Sequence, residues 1–208
     1  MKHLIKKASD VTKINLLVYG NPGTGKTHLV GSAADSGLRT LILDSDKGTM
    51  TIRNTSADVI QLTSFSQLVE AVRWLTEEGH KEYDLVALDN LTESQKQHVD
   101  ELKIQHGKKF GLHSWGRVME GSRFAIKALR DLPCHSIMIT HAKEVLDELN
   151  GRNMVKVRPA LHGSSLPHEV GGFFDLVGYS HTYSKTGENI EYRLGFAAAN
   201  DRHICKDR

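Results

Sequence analysis

Apolar residues along this chain follow two alternating rhythms. Short unbroken apolar runs, the mark of strands buried on both faces, alternate with stretches whose apolar positions recur at helical spacing. The runs fall at 14–19 (Ile-Asn-Leu-Leu-Val-Tyr), 40–44 (Thr-Leu-Ile-Leu-Asp), 83–89 (Tyr-Asp-Leu-Val-Ala-Leu-Asp) and 136–140 (Ser-Ile-Met-Ile-Thr). Residues 28–34 read as a helix after the first run. Ser64 with Gln67 carries a capping-box signature ahead of Leu68, Val69, Val72 and Leu75, and Gly79 is a plausible stop. A polar helix is predicted over 92–105, a loop over 106–115, and a helix over 116–131 that ends before Pro133. Strand and helix in alternation predict a parallel sheet with helices on both faces.

From Lys143 onward the rhythm changes. Asn150-Gly151 between 145–149 and 154–157 is the strongest short hairpin signal in the chain. A second hairpin is predicted between 176–183 and 190–196, turning through Ser184-Lys185-Thr186-Gly187. The chain shows no internal repeat or linker. One α/β domain over 14–208, behind an N-terminal tail at 1–13, is the economical division.

The chemistry begins at residues 20–27, Gly20-Asn21-Pro22-Gly23-Thr24-Gly25-Lys26-Thr27, which fit G-x-x-x-x-G-K-[ST] between a predicted strand and a predicted helix that opens at His28. Glycines let successive backbone N–H groups turn inward, and the helix N-terminus adds positive dipole, so the loop cradles a polyphosphate such as that of ATP. Lys26 reaches toward the β- and γ-phosphates, and the Thr27 hydroxyl suits Mg²⁺. Asp89 closes the apolar run 85–88 and is the second Mg²⁺ anchor expected of such a site. Hydrolysis needs a carboxylate to orient and deprotonate water. Asp46 is the first choice, and Asp44 the alternative. His141, after the run at 136–140, suits either contact with a γ-phosphate or a solvent-facing or core-satisfied histidine. Lys206 and Arg208, one residue apart, project to one side of an extended strand, where they suit a neighbour's nucleotide or simply a solvated terminus.

Composition narrows the partners. The chain has 208 residues, 39% hydrophobic and 25% charged, ordinary for one folded domain. A formal charge of +2 is too mild to argue for nucleic acid, so any DNA-binding surface must be local. No apolar run approaches the roughly 20 residues of a membrane helix, and the N-terminus lacks a signal-peptide core. Cys134 and Cys205 show neither metal spacing nor a disulfide framework, which fits a cytoplasmic setting. His98 and His106 are explained as well by a solvated helix face as by metal.

The order of these features resembles the RecA-like recombinase core. More closely, it is similar to the short RecA-like ATPases of bacteriophages that act as single-strand annealing recombinases. The resemblance runs from Ile14 to Arg208 and rests on the GNPGTGKT loop, Asp46, Asp89-Asn90, His141 and the terminal Lys-x-Arg. It implies a mostly parallel sheet flanked by helices with C-terminal antiparallel hairpins, ATP and Mg²⁺, and a filament or ring with ATP at subunit interfaces. It assigns Asp46 as catalytic acid, His141 to the γ-phosphate-sensing position (usually Gln), and Lys206 and Arg208 as fingers acting on a neighbour. It places single-stranded DNA on 106–116, with Lys108, Lys109 and Trp115, and on 143–165, with Arg152, Lys156 and Arg158. A single-stranded DNA-binding protein is an implied partner. Trp115 equally suits an anchor for the following helix. The competing reading is an AAA-type motor or loader acting on protein or replication forks, which wants a helical lid after the core. A small-molecule kinase and a non-hydrolysing nucleotide-binding module complete the alternatives.

Overall fold

The computed structural model describes residues 12–149, 152–163, 165–185, 189–197 and 203–207. The first half alternates as its pattern requires: β1 (Asn15–Gly20), α1 (Lys26–Asp35), β2 (Thr40–Asp44), β3 (Asp58–Gln61), α2 (Phe65–Glu77), β4 (Leu85–Asp89), α3 (Leu91–His106) and α4 (Leu112–Asp131). Then come β5 (His135–Leu149), β6 (Arg152–Pro159), the short α5 (Leu166–Glu169), β7 (Leu176–Tyr183) and β8 (Glu191–Gly195). The strands order as β3-β2-β4-β5-β1-β7-β8, with β6 paired to β5. β2, β4, β5, β1 and β7 are mutually parallel, while β5–β6 and β7–β8 are antiparallel hairpins.

The buried runs explain the sheet's depth. Every residue of β2 and β4 is buried, as expected of strands covered on both faces. Leu17, Leu43, Leu88 and Met138 join Leu68, Val72, Leu75, Ile126 and Leu129 of α2 and α4 in the main core. On the other face Val30 of α1 packs with Ile42, Ala87 and Ile139. Ser64 caps α2 by accepting from the Gln67 N–H at 3.2 Å. The reciprocal half of the capping box is replaced, because Gln67 Oε1 accepts from the Thr63 N–H at 2.8 Å instead.

Two expectations need correction, and one strand was not foreseen. β5 does not stop before His141 but runs on to Leu149, because β6 pairs with it from Ala142 and replaces the parallel neighbours that end there. The segment 106–115 is not a loop: a 3-10 turn at Gly107–Lys109 leads into α4 at Leu112, four residues before the predicted start. Its early start follows from Ser114, which is buried and accepts from the Gly111 N–H. The edge strand β3 went unforeseen, since its exposed Asp58, Val59 and Gln61 break any buried run. The Asn150-Gly151 turn lies outside the described residues.

Candidate functional site

The C-terminal ends of β1, β4 and β2 lie beside His141 within β5, at the edge where an open α/β sheet gathers its ligand site. From β1, residues 21–25 cross to α1, with Gly23 at φ 77° and Gly25 at φ 84°, left-handed conformations that favour glycine. Thr24 stiffens the loop by donating its hydroxyl to the Asn21 carbonyl at 2.9 Å. Ser180 of β7 ties it from the side, donating to the Thr24 carbonyl at 2.7 Å. Gly20 admits no side chain, because a Cβ there would lie 2.3 Å from the Ser180 carbonyl oxygen.

Lys26 and Thr27 open α1, and His28 follows, so the free N–H groups of the first helical turn face the loop's concavity. Lys26 is buried, and its ammonium donates to the Gly20 and Asn21 carbonyls at 3.0 and 2.8 Å. Burial lowers its pKa, while Asp89 and Asp46 oppose the shift. The Thr27 hydroxyl donates to Asp89 Oδ2 at 2.6 Å. Burial pushes the Asp89 carboxyl up to about 6, with Asp46 and Asp44 adding to the rise and Thr27 and Lys26 opposing it. A buried carboxylate beside a hydroxyl, with two further acids near, has the donor chemistry and the excess negative charge that Mg²⁺ would relieve, so the residues fit the metal.

The structure separates the two aspartates of 44–46. Asp44 is buried, and its Oδ1 accepts from the backbone N–H groups of Asp46, Lys47 and Gly48 at 3.2, 2.8 and 3.3 Å. It shapes the turn, and Lys47 within it sits at φ 63°. Asp46 is exposed and faces the site. Its Oδ1 accepts from the Gly48 N–H at 3.0 Å and its Oδ2 from the Asn90 side-chain amide at 2.6 Å. Partial desolvation and the Asp44 charge raise its pKa. His141 stands level with Gly20 in the β1–β5 register, between the loop and Asp89. Its Nε2 lies 3.3 Å from Asn90 Nδ2, and its backbone N–H donates to the Thr92 hydroxyl at 3.0 Å. Burial, then the Lys26 charge, lowers its pKa, which favours the neutral imidazole. Lys26, Thr27, Asp46, Asp89 and His141 are thus gathered into one place. Asn90, at a cis peptide after Asp89, joins them and was singled out by sequence only as part of the Asp89-Asn90 pair.

The remaining candidates are dispersed. Lys108 and Lys109 are exposed at the turn between α3 and α4. Trp115 is half-buried in the first turns of α4, its ring 5.4 Å from Phe110 and 5.5 Å from His162, in the manner of a helix anchor. Lys156 and Arg158 both pair with Asp147 across the β5–β6 hairpin, at 3.0 and 2.9 Å. The backbone of Arg152 begins β6, but its side chain lies outside what is described, as does Arg208. Lys206 bridges to Val177 on β7, and its ammonium donates to the Phe174 and Gly171 carbonyls at 2.6 and 3.3 Å. Val177 pairs with Leu17, three residues below the phosphate loop, so Lys206 lies away from this site.

A glycine-rich loop that leads from a central strand of a mostly parallel sheet into a helix start, with a buried aspartate at the end of a strand one strand removed, defines a P-loop NTPase of RecA-like fold. The chain belongs to the AAA domain family, whose model matches residues 12–208. Among solved structures it is similar to that of the RadB recombinase, at 15% identity and TM-score 0.48 over 83% of this chain and 76% of that one. It is also similar to a prototypical ATPase from the type III secretion system of pathogenic bacteria, at 11% identity and TM-score 0.50 over 80% of this chain. The chain spans about half, 51%, of that ATPase, and the likeness speaks to fold. No protein of curated function matches it in sequence. Among the described residues no helix is long and apolar enough to cross a membrane.

Proposed function

We propose that the protein binds ATP with Mg²⁺, hydrolyses it, and binds single-stranded DNA as an oligomer with ATP at its subunit interfaces, promoting annealing or recombination. The observation that carries the nucleotide reading is the Thr27–Asp89 hydrogen bond of 2.6 Å beside buried Lys26, with Asp46 just past β2 and His141 within β5 on either side of β4. Bound Mg²⁺ would be held by Thr27 and Asp89 and would neutralise phosphate charge. The loop amides and Lys26 hold the phosphates. Asp46 takes the proton of an attacking water, and His141 is the side chain of β5 that would face a γ-phosphate. The shorter reach of aspartate in this role implies slow turnover.

Support for DNA is local charge. Lys108 and Lys109 sit with His113 at an exposed turn whose helix, α3, begins at Asn90 beside the nucleotide site. Lys206 and Arg208 would act on a neighbour's nucleotide. The test is ATP turnover at fixed Mg²⁺ with and without single-stranded DNA, with Lys26→Ala as control. Stimulation that fades as salt rises supports the reading. Turnover indifferent to DNA, with Lys26→Ala inactive, removes the DNA part and leaves a motor or loader.

A further inference from the structure

We infer that Asn90 is a positioning residue whose single side-chain amide holds Asp46 and His141 in register across the nucleotide site. The inference rests on the reading of Asp46 as the acid that activates water. Asn90 is 1% exposed and fully engaged. Its Oδ1 accepts from the Glu93 N–H at 2.8 Å and so caps α3, which fixes the amide's orientation and leaves Nδ2 facing the site. Its backbone N–H donates to Ser45 Oγ at 2.9 Å, and Ser45 Oγ donates back to the Asn90 carbonyl at 2.7 Å. The end of β4 is thereby clamped to the end of β2.

An asparagine amide has two N–H bonds, and here each has a destination. One points to Asp46 Oδ2 at 2.6 Å, the other to His141 Nε2 at 3.3 Å. A donor directed at Nε2 requires a lone pair there, which puts the proton of the neutral ring on Nδ1, a buried nitrogen with no hydrogen-bond partner among the described residues. Asn90 therefore fixes both the direction of the carboxylate and the tautomer of the imidazole. His141 held this way has no proton on Nε2 to offer a phosphate oxygen. It gains one only by releasing Asn90, so the acid and the imidazole are made mutually dependent through one side chain.

Asn90→Ser separates this role from helix capping, because serine caps as well as asparagine but is too short to reach either partner. Asn90→Asp also keeps the cap and turns an acceptor toward Asp46. For Asn90→Ser we expect turnover to fall at least about tenfold, a share of what acid–base catalysis contributes. Affinity for a non-hydrolysable ATP analogue should stay within about threefold, below the tenfold that 1.4 kcal/mol represents. Asn90→Asp should fall further. A second readout needs no nucleotide: nitrogen-15 NMR of the full chain, with His141→Asn to assign the signal. Wild type should carry the His141 proton on Nδ1, and Asn90→Ser should lose that preference. A wild-type ring protonated on Nε2, or Asn90→Ser turning over within about twofold of wild type at equal affinity, overturns the inference. Failure of the ATPase reading shows up separately, as wild type without turnover or Lys26→Ala with it.

Discussion

Asp44 and Asp46 are two residues apart, and their surroundings give them opposite work, so substituting each should separate folding from turnover. Asp44 is 1% exposed and holds the N–H groups of Asp46, Lys47 and Gly48 at 3.2, 2.8 and 3.3 Å. Lys47 at φ 63° adds a left-handed residue whose cost, on the order of 1–2 kcal/mol, those bonds offset. A hydrogen bond to a charged group contributes about 1.5–3 kcal/mol. The three share one oxygen and their donors border solvent, so Asp44→Ala should cost about 2–4 kcal/mol in all, well short of three full bonds. In a domain of this size each kcal/mol moves Tm by about 2–4 °C, which predicts a fall of about 4–16 °C. Asp46→Asn instead removes a carboxylate that partial burial and Asp44 already disfavour. Its Tm should stay within about 2 °C, inside the range of a surface substitution, while turnover falls by about 10²–10⁴. Scanning calorimetry and single-turnover phosphate release at saturating nucleotide measure the two effects. Asp44→Ala melting with wild type, or Asp46→Asn turning over at the wild-type rate, would refute the assignment.

The Asp89 carboxyl at about 6, against an ordinary 3.8, gives a pH prediction of definite sign. Mg²⁺ needs the carboxylate, so Mg²⁺-dependent nucleotide affinity should be level above about pH 7 and weaken as pH falls through 6, as titration calorimetry would show. Stability runs the other way: the raised carboxyl favours the fold below the unfolded value, and that contribution is lost as pH rises through 6. Without nucleotide, Asp89→Asn should therefore gain less Tm than wild type between pH 7 and pH 5, and an equal gain would refute this. Gly20→Ala puts a Cβ 2.3 Å from the Ser180 carbonyl oxygen, so β1 and β7 must part, at a cost of about 1–3 kcal/mol in denaturant melts. Lys108→Glu with Lys109→Glu should weaken single-stranded DNA binding and reduce the salt slope by about 0.7 per lost phosphate contact; an unchanged slope would move the contact surface elsewhere.

The sequence announced the sheet because strands buried on both faces read as unbroken apolar runs, and Thr40–Asp44 matches its run residue for residue. It announced the phosphate loop because glycine spacing is itself the geometry. Where sequence reasoning failed, the cause was a contact that local pattern does not carry. His141 looked like a strand end because Lys143 and Glu144 break the apolar run, yet those residues continue β5 as one arm of a hairpin facing Arg158 and Val157. Residues 106–115 looked like a loop because charge and glycine dominate them. What makes Leu112–Asp131 one helix is the packing of Val118 against Val99 and Leu102, with Phe110 and Trp115 alongside. Asn90 was the costliest omission. Next to a strand-end aspartate, an asparagine reads as a helix cap, and it is one. Its second task depends on β2 and β5 delivering Asp46 and His141 to the same amide, which only the strand order reveals.

Strand pairing and exposure also rank the cations. Charge alone made 106–116 and 143–165 equal candidates for a DNA surface. The fold removes that equality. On the β5–β6 hairpin Lys156 and Arg158 converge on Asp147, and the lysine holds that carboxyl's pKa down, so a phosphate there would compete with a formed ion pair. At the α3–α4 turn Lys108 and Lys109 are exposed, and binding a phosphate would require no such exchange. Ions already paired gain less from a new counter-charge than ions facing water. DNA affinity should therefore depend on the α3–α4 turn first. That turn is also joined through α3 to Asn90, the residue that borders the acid of the nucleotide site.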